Sequence, residues 1–293
     1  MFKGSIVALV TPFESSGEID FHALQRLVTM HLDAGTNGIV VAGSTGESVN
    51  LNAGEVAALL DAVVGQVAGQ VPVLAGTGGA STERAIAATQ LAESLHATAA
   101  LVVTPYYNRP PQAGLIAHFR AIANSTDLPI VLYNVPSRTG VDLLPETVQE
   151  LASHPRIVAV KEAVATIERS KAILSFCNDD FCLLSGDDPT CVEVMELGAT
   201  GVISVAANVV PAQFQELCAA AAKGDFSRAR QLNEELKELF DMLMLESNPI
   251  PVKWALHEMS LCGSSLRLPL LELSQQHRSA LRRSLAKLGL LGD

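Results

Sequence analysis

The segment Ile157-Val158-Ala159-Val160-Lys161-Glu162-Ala163 puts a lysine directly after four apolar residues, three of them β-branched. Such a run reads as a strand covered on both faces, so Lys161 stands where a buried strand ends. Lysine is protonated in neutral water, and an apolar interior disfavours that charged form. An amine freed in this way attacks carbonyl carbon and forms a Schiff base. The competing reading is structural: a strand-end lysine that snorkels to solvent or pairs with a carboxylate. The residues that the fold gathers around Lys161 decide between the two.

Seven further apolar runs share this character: Ser5 to Val10, Gly38 to Ala42, Pro72 to Ala75, Ala99 to Val103, Pro129 to Tyr133, Phe181 to Leu184 and Gly201 to Val205. Continuous apolar runs without polar alternation mark a parallel sheet, and the longer amphipathic stretches between them read as helices. Asn52 followed by Glu55 has the pattern of a capping box, and Ser81 opens the next helix in a similar way. The order is therefore (β/α)8, which predicts an α/β chain folded as a TIM barrel. Beyond it, Phe226 to Leu245, Pro251 to Ser260 and Gln275 to Leu288 read as a C-terminal helical extension. The expected division is a catalytic barrel over 1–224 and an extension over 225–293 that packs on it. An open doubly wound sheet is the competing architecture, but no G-x-G-x-x-G opens a helix after an early strand.

A formal charge of -11 argues against nucleic acid and anionic membrane as partners, because phosphate binding needs clustered Lys and Arg. No run of about 18 apolar residues appears, and the N-terminus enters a strand-like stretch without a signal-peptide pattern. A cytoplasmic location is expected. Cys177, Cys182, Cys191, Cys218 and Cys262 include no C-x-x-C and read as small buried hydrophobes. The seven histidines include no H-E-x-x-H, so neither a metal nor another cofactor is expected.

Active sites of TIM barrels lie at the C-terminal ends of the strands. Here those ends are polar: Gly43-Ser44-Thr45-Gly46-Glu47, Gly76-Thr77-Gly78, Thr104-Pro105-Tyr106-Tyr107-Asn108, Tyr133-Asn134, Lys161-Glu162, Ser185-Gly186-Asp187 and Ser204. All are expected to converge on one bowl. The glycine-flanked turn at 43–46 can hold a carboxylate on its amides and hydroxyls, although such turns are also common as plain structure. Tyr133 is either core packing or a general acid–base at the rim. Arg138 is either a solvated loop residue or a bidentate grip on a substrate carboxylate. Glu162 alternates to the side opposite Lys161 and is expected to pair with barrel or helix groups.

Taken together, Thr11-Pro12, the Gly43 to Ser48 turn, Val103 to Asn108, Tyr133 to Thr139, Lys161-Glu162-Ala163, Ser185 to Asp188 and Asn248 to Trp254 resemble the dihydrodipicolinate synthase family. The resemblance runs nearly end to end. It implies that Lys161 condenses with pyruvate and that the resulting enamine attacks aspartate 4-semialdehyde, a step of lysine biosynthesis through diaminopimelate. It further implies a proton shuttle at Tyr133, linked through Ser44 to Tyr107 from a neighbouring subunit. Thr45 would bind the pyruvate carboxylate, Arg138 that of the semialdehyde, and the Ile203 carbonyl would line the site. A shared site requires at least a dimer, and the resemblance implies a homotetramer built as a dimer of dimers.

Two departures stand out. Position 44 is usually threonine, and serine lacks the methyl that restricts the rotamer. In the pocket where many members bind lysine, Ser48 and Tyr106 are kept, while Ala53, Val56, Ala80 and Arg84 replace two histidines, an asparagine and a glutamate. Weak or absent feedback by lysine is therefore expected. The remaining alternatives are a sialic-acid-type lyase or keto-sugar aldolase, against which Arg138 speaks, and a silent barrel that binds a keto acid.

Overall fold

Each apolar run becomes a parallel strand of one closed barrel in the computed structural model, which describes residues 2–291. The strands are β1 (Gly4–Ala8), β2 (Gly38–Val41), β3 (Val73–Gly76), β4 (Ala99–Val103), β5 (Ile130–Asn134), β6 (Ile157–Glu162), β7 (Cys182–Ser185) and β8 (Gly201–Ser204). Each pairs with its chain neighbours, and β8 closes onto β1 in the register Gly4↔Gly201 to Val7↔Ser204. Closure needs glycine there: a Cβ on Gly201 would lie 2.3 Å from the Gly4 carbonyl oxygen. A closed barrel replaces the alternative of an open doubly wound sheet.

The connecting helices are α1 (Phe21–Asp33), α2 (Ala53–Val67), α3 (Thr82–Ser94), α4 (Gln112–Asn124), α5 (Pro136–Thr139), α6 (Pro145–Ala152), α7 (Ile167–Leu174), α8 (Cys191–Glu196) and α9 (Pro211–Ala222). The capping box of α2 forms in full, with Glu55 N–H donating to Asn52 Oδ1 at 3.0 Å and Asn52 N–H to Glu55 Oε2 at 2.9 Å. Ser81 caps α3 through Arg84 N–H. Two elements differ from the sequence expectation. The stretch around Arg138 is a helical turn, opened by Pro136 and stopped by Gly140 at φ +72°, where an open loop was expected. The stretch between β7 and β8, which reads as a helix from Pro189 to Leu197 in the sequence, becomes helical only at Cys191, because Asp187 Oδ2 accepts from both Thr190 N–H and Thr190 Oγ1 and holds a turn.

The pleat sorts the strand residues into two layers. Ile6, Val40, Leu74, Leu101, Val131, Ala159, Leu184 and Ile203 fill the barrel interior. Their neighbours Val7, Ile39, Ala75, Val102, Leu132, Val160, Leu183 and Val202 pack outward against the helices. That outer core runs on into the extension, α10 (Phe226–Leu243), α11 (Ile250–Glu258) and α12 (Gln275–Lys287), through Leu232, Leu239, Val252 and Leu285. Four of the cysteines are buried and Cys177 is half-buried. No helix among the described residues is long and apolar enough to cross a membrane.

One ion pair joins the extension to the turn after β2. Lys253 Nζ of α11 donates to Glu47 Oε1 at 2.8 Å, and neither side chain touches solvent. Arg267 N–H and Asn50 Nδ2 complete the Glu47 carboxylate, while Lys253 also lies over the Phe13 ring. Burial lowers the Lys253 pKa, with the Glu47 charge opposing the shift. Removing one partner of such a pair strands a buried charge. Lys253→Met is expected to cost about 3–5 kcal/mol, read as a lower urea midpoint at unchanged m, and adding Glu47→Gln to that variant should recover part of the loss.

Candidate active site

β5 and β6 set the centre of the site. Counting by two along β5, Val131, Tyr133 and Val135 face inward, and along β6 so do Ala159, Lys161 and Ala163. Tyr133 and Lys161 are paired in register, which brings Lys161 Nζ to 4.3 Å from the centre of the tyrosine ring. Lys161 is only 5% exposed, and among the described residues it has no carboxylate partner. Space for its side chain comes from Gly186 at the end of β7: a Cβ there would sit 3.1 Å from Lys161 Cε. A buried lysine beside a phenol, with no acid to hold it as an ion pair, is equipped to act as a nucleophilic amine.

The turn after β2 supplies anion donors. Gly46 and Ser48 N–H close back on the Gly43 carbonyl at 3.0 and 3.2 Å, and Glu47 N–H closes on Ser44 at 3.2 Å. The N–H groups of Ser44 and Thr45 donate to no acceptor among the described residues. Buried backbone donors are nearly always satisfied, so two adjacent free amides at a barrel mouth form a nest for an anion. Thr11 Oγ1, in the segment after β1, donates to the Gly46 carbonyl at 2.7 Å and pins the turn. Thr45 is 2% exposed, and its Oγ1 accepts from Asn248 Nδ2 at 2.9 Å.

The remaining candidates divide. Ser44 is half-buried in the nest, and Ile203 is buried on the inner face of β8. Arg138 lies exposed on α5 and donates from Nη2 to the Asn248 carbonyl at 3.0 Å. Tyr107 is 94% exposed with φ +70°, and no hydrogen bond joins it to Ser44 or Tyr133 among the described residues. The chain thus gathers Lys161, Tyr133, Ser44, Thr45, Ile203 and Arg138 at one rim and leaves Tyr107 outside it.

The expectation that every polar strand end opens into the bowl is corrected. Glu47 turns away at φ 55° into the buried pair with Lys253. Thr77 accepts from Thr89 Oγ1 behind β3, and Asp188 Oδ2 holds Val205 and Ala206 N–H beneath the end of β8. Asn134 and Glu162 fall on the outward phase of the pleat, as expected for Glu162. Asn134 Nδ2 lies 3.0 Å from both Glu162 oxygens and 2.7 Å from Asp142 Oδ1, and Val164 N–H donates to Glu162 Oε1. Asn248 is the residue for which the sequence suggested no role. Its one local signal is a polar residue set directly before a proline that opens a helix. Among the described residues, no group of three or more His, Cys, Asp or Glu is placed to hold a metal.

The model of the dihydrodipicolinate synthetase family matches residues 1–288. The chain belongs to that family. The 4-hydroxy-tetrahydrodipicolinate synthase of Stutzerimonas stutzeri is 50% identical over 99% of this chain and 100% of its own length. Among solved structures, the chloride-inhibited dihydrodipicolinate synthase of Acinetobacter baumannii, complexed with pyruvate, is 46% identical with a TM-score of 0.98, over 99% of this chain and 100% of that one. The Cyanidioschyzon merolae enzyme with lysine bound is 40% identical with a TM-score of 0.96, over 99% of each chain.

Burial pushes the Glu162 carboxyl up to about 7 from its ordinary 4.5, against the hydrogen bonds from Asn134 and Val164 and the nearby charge of Arg169. A folded pKa above the unfolded one means that the stability it supplies is whole below 4.5 and is lost as pH rises through about 7. The lost amount is roughly 3 kcal/mol. Glu162→Gln should therefore flatten this part of the stability profile, so the variant gains on the parent in denaturation midpoints at pH 8 relative to pH 5.

Proposed function

We propose that this chain is a 4-hydroxy-tetrahydrodipicolinate synthase, a class I aldolase-type lyase that joins pyruvate to (S)-aspartate 4-semialdehyde through a Schiff base on Lys161. The observation that carries the reading is the buried Lys161 amine against Tyr133, without a carboxylate partner among the described residues, at the barrel end that also holds the free amides of Ser44 and Thr45. The amides of Ser44 and Thr45 with the Thr45 hydroxyl take the pyruvate carboxylate. The Lys161 amine attacks the ketone carbon, and water leaves as the imine forms. Loss of a methyl proton gives the enamine, which attacks the semialdehyde aldehyde. The amine of that second substrate then displaces Lys161 and closes the ring. Tyr133 passes the protons, Arg138 holds the second carboxylate, and the Ile203 carbonyl lines the pocket.

Such a cycle needs an outlet for the protons handled by Tyr133. Ser44 connects it to Tyr107, supplied by a neighbouring subunit. The exposure of Tyr107 supports this, because a side chain 94% in solvent is free to be covered by a partner and to present its hydroxyl there. The assembly is at least a dimer, and a homotetramer formed as a dimer of dimers is the proposed state. The barrel over 1–224 holds the catalytic lysine, and the extension over 225–293 completes the rim. Residues 1, 292 and 293 of that division lie outside the described residues. A cytoplasmic location suits a step of diaminopimelate synthesis.

Two measurements test this reading. Borohydride reduction in the presence of pyruvate should fix one pyruvyl adduct on Lys161, found by peptide mapping, and Lys161→Ala should abolish it; an unmodified Lys161 sinks the proposal and favours a silent binder. Lysine at sub-millimolar concentration should leave the rate nearly unchanged. Arg84 and the apolar Ala53, Val56 and Ala80 offer a cationic effector no anionic partner. Strong inhibition would show that other groups hold it.

A further inference from the structure

We propose that the side-chain amide of Asn248 sets the direction of the Thr45 hydroxyl, and that the C-terminal extension thereby tunes pyruvate affinity. The proposal rests on the reading of Thr45 as a carboxylate ligand. A hydroxyl has one proton and two lone pairs. Asn248 Nδ2 donates to Thr45 Oγ1 at 2.9 Å, so the side of the hydroxyl that faces Asn248 is occupied by a donor. The Thr45 proton must point elsewhere, and no acceptor among the described residues takes it. It stands next to the free N–H groups of Ser44 and Thr45. Three donors are then presented together, which is what a carboxylate requires.

The orientation of the amide is informative. Asn248 Oδ1 is buried and has no partner among the described residues. Turning the amide over would give that oxygen the Thr45 proton but leave the amide N–H groups without an acceptor. In the orientation present the unpartnered group is an acceptor, and the Thr45 hydroxyl proton stays available to a ligand. The same residue reaches the second proposed anion site through its main chain, where its carbonyl accepts from Arg138 Nη2 at 3.0 Å. Asn248 is itself held in place. Ile250 N–H closes on the Ser247 carbonyl at 2.9 Å, and one helical turn later Lys253 locks α11 to Glu47 of the nest turn. Asn248 is a positioning residue: it acts on the substrate through Thr45.

The test uses isosteric reversal. In Asn248→Asp a carboxylate faces Thr45, draws the hydroxyl proton to itself and adds a negative charge beside the nest, while the main-chain bond to Arg138 stays. The KM for pyruvate should rise roughly tenfold or more, the size of one hydrogen bond to a charged group. The kcat at saturating pyruvate and the KM for the semialdehyde should change by no more than about twofold. Asn248→Ala removes the donor without adding a charge and should raise only the pyruvate KM, by about threefold. This variant decides the question if Asn248→Asp does not fold. Thr45→Val is the control, and it should raise the pyruvate KM on its own. If Thr45→Val has no effect, the carboxylate reading of Thr45 falls, and this proposal with it. If Thr45→Val weakens pyruvate but both Asn248 variants leave the KM unchanged, or lower kcat for both substrates alike, the proposal alone is overturned.

Discussion

The buried pair of Glu47 and Lys253 is the contact on which the rest of the site depends. A turn that offers free amides to an anion cannot be held by its own backbone, because the bonds that would rigidify it would consume the donors. The Gly43 to Ser48 turn resolves this by using only three N–H groups internally and passing the remaining restraint to the Glu47 side chain. Glu47 leaves the bowl at positive φ and is gripped from outside by Lys253, Arg267 and Asn50. Two charges taken from water are expensive and repay that cost only with close geometry and further hydrogen bonds, both of which are present here.

It follows that the helices after the barrel belong to the site. Lys253 lies on α11, and Asn248 lies just before it, so one short stretch of chain both clamps the turn and touches Thr45 and Arg138. A strain or shift in α11 reaches the anion donors through two contacts without passing through the barrel wall. The apolar packing of α10 and α12 on the outer core then has a functional result: it fixes the platform from which both contacts extend.

Much of this was readable from the chain. Eight apolar runs gave eight strands within a residue or two, because a strand covered on both faces leaves a pattern that local interactions do not blur. That Lys161 and Tyr133 lie inside the barrel mouth could be expected, because a polar residue at the end of such a run has few places to go. What could not be read was the role of residues whose partner lies far along the chain. Glu47 and Lys253 are 206 positions apart, and Asn248 and Thr45 are 203 apart, so no periodicity or spacing connects them. The strand-end rule also treated every polar residue alike. Asn134 and Thr77 satisfy it in sequence and fail it in space, because their side chains belong to the outer layer, whereas Glu162 takes the outward side that the alternation of the strand predicts.

The separation of Lys161 from Glu162 shows why that failure is useful to the chemistry. The two are adjacent in sequence, and with both in the bowl the carboxylate would occupy the lysine as an ion-pair partner, in competition with the Schiff base proposed for it. The pleat sends them to opposite faces of one strand. Glu162 spends its hydrogen-bonding capacity on Asn134 and Val164, and Asn134 is the residue next to Tyr133 on β5. Outside the barrel, therefore, an amide and a carboxylate bridge β5 to β6 directly behind the pair that face each other inside. The acid that would disable the amine as a partner instead fixes the distance between the amine and the phenol. A carboxylate performs this task best when it is buried and hydrogen-bonded; the burial raises its pKa, and the bonds from Asn134 and Val164 work against that rise.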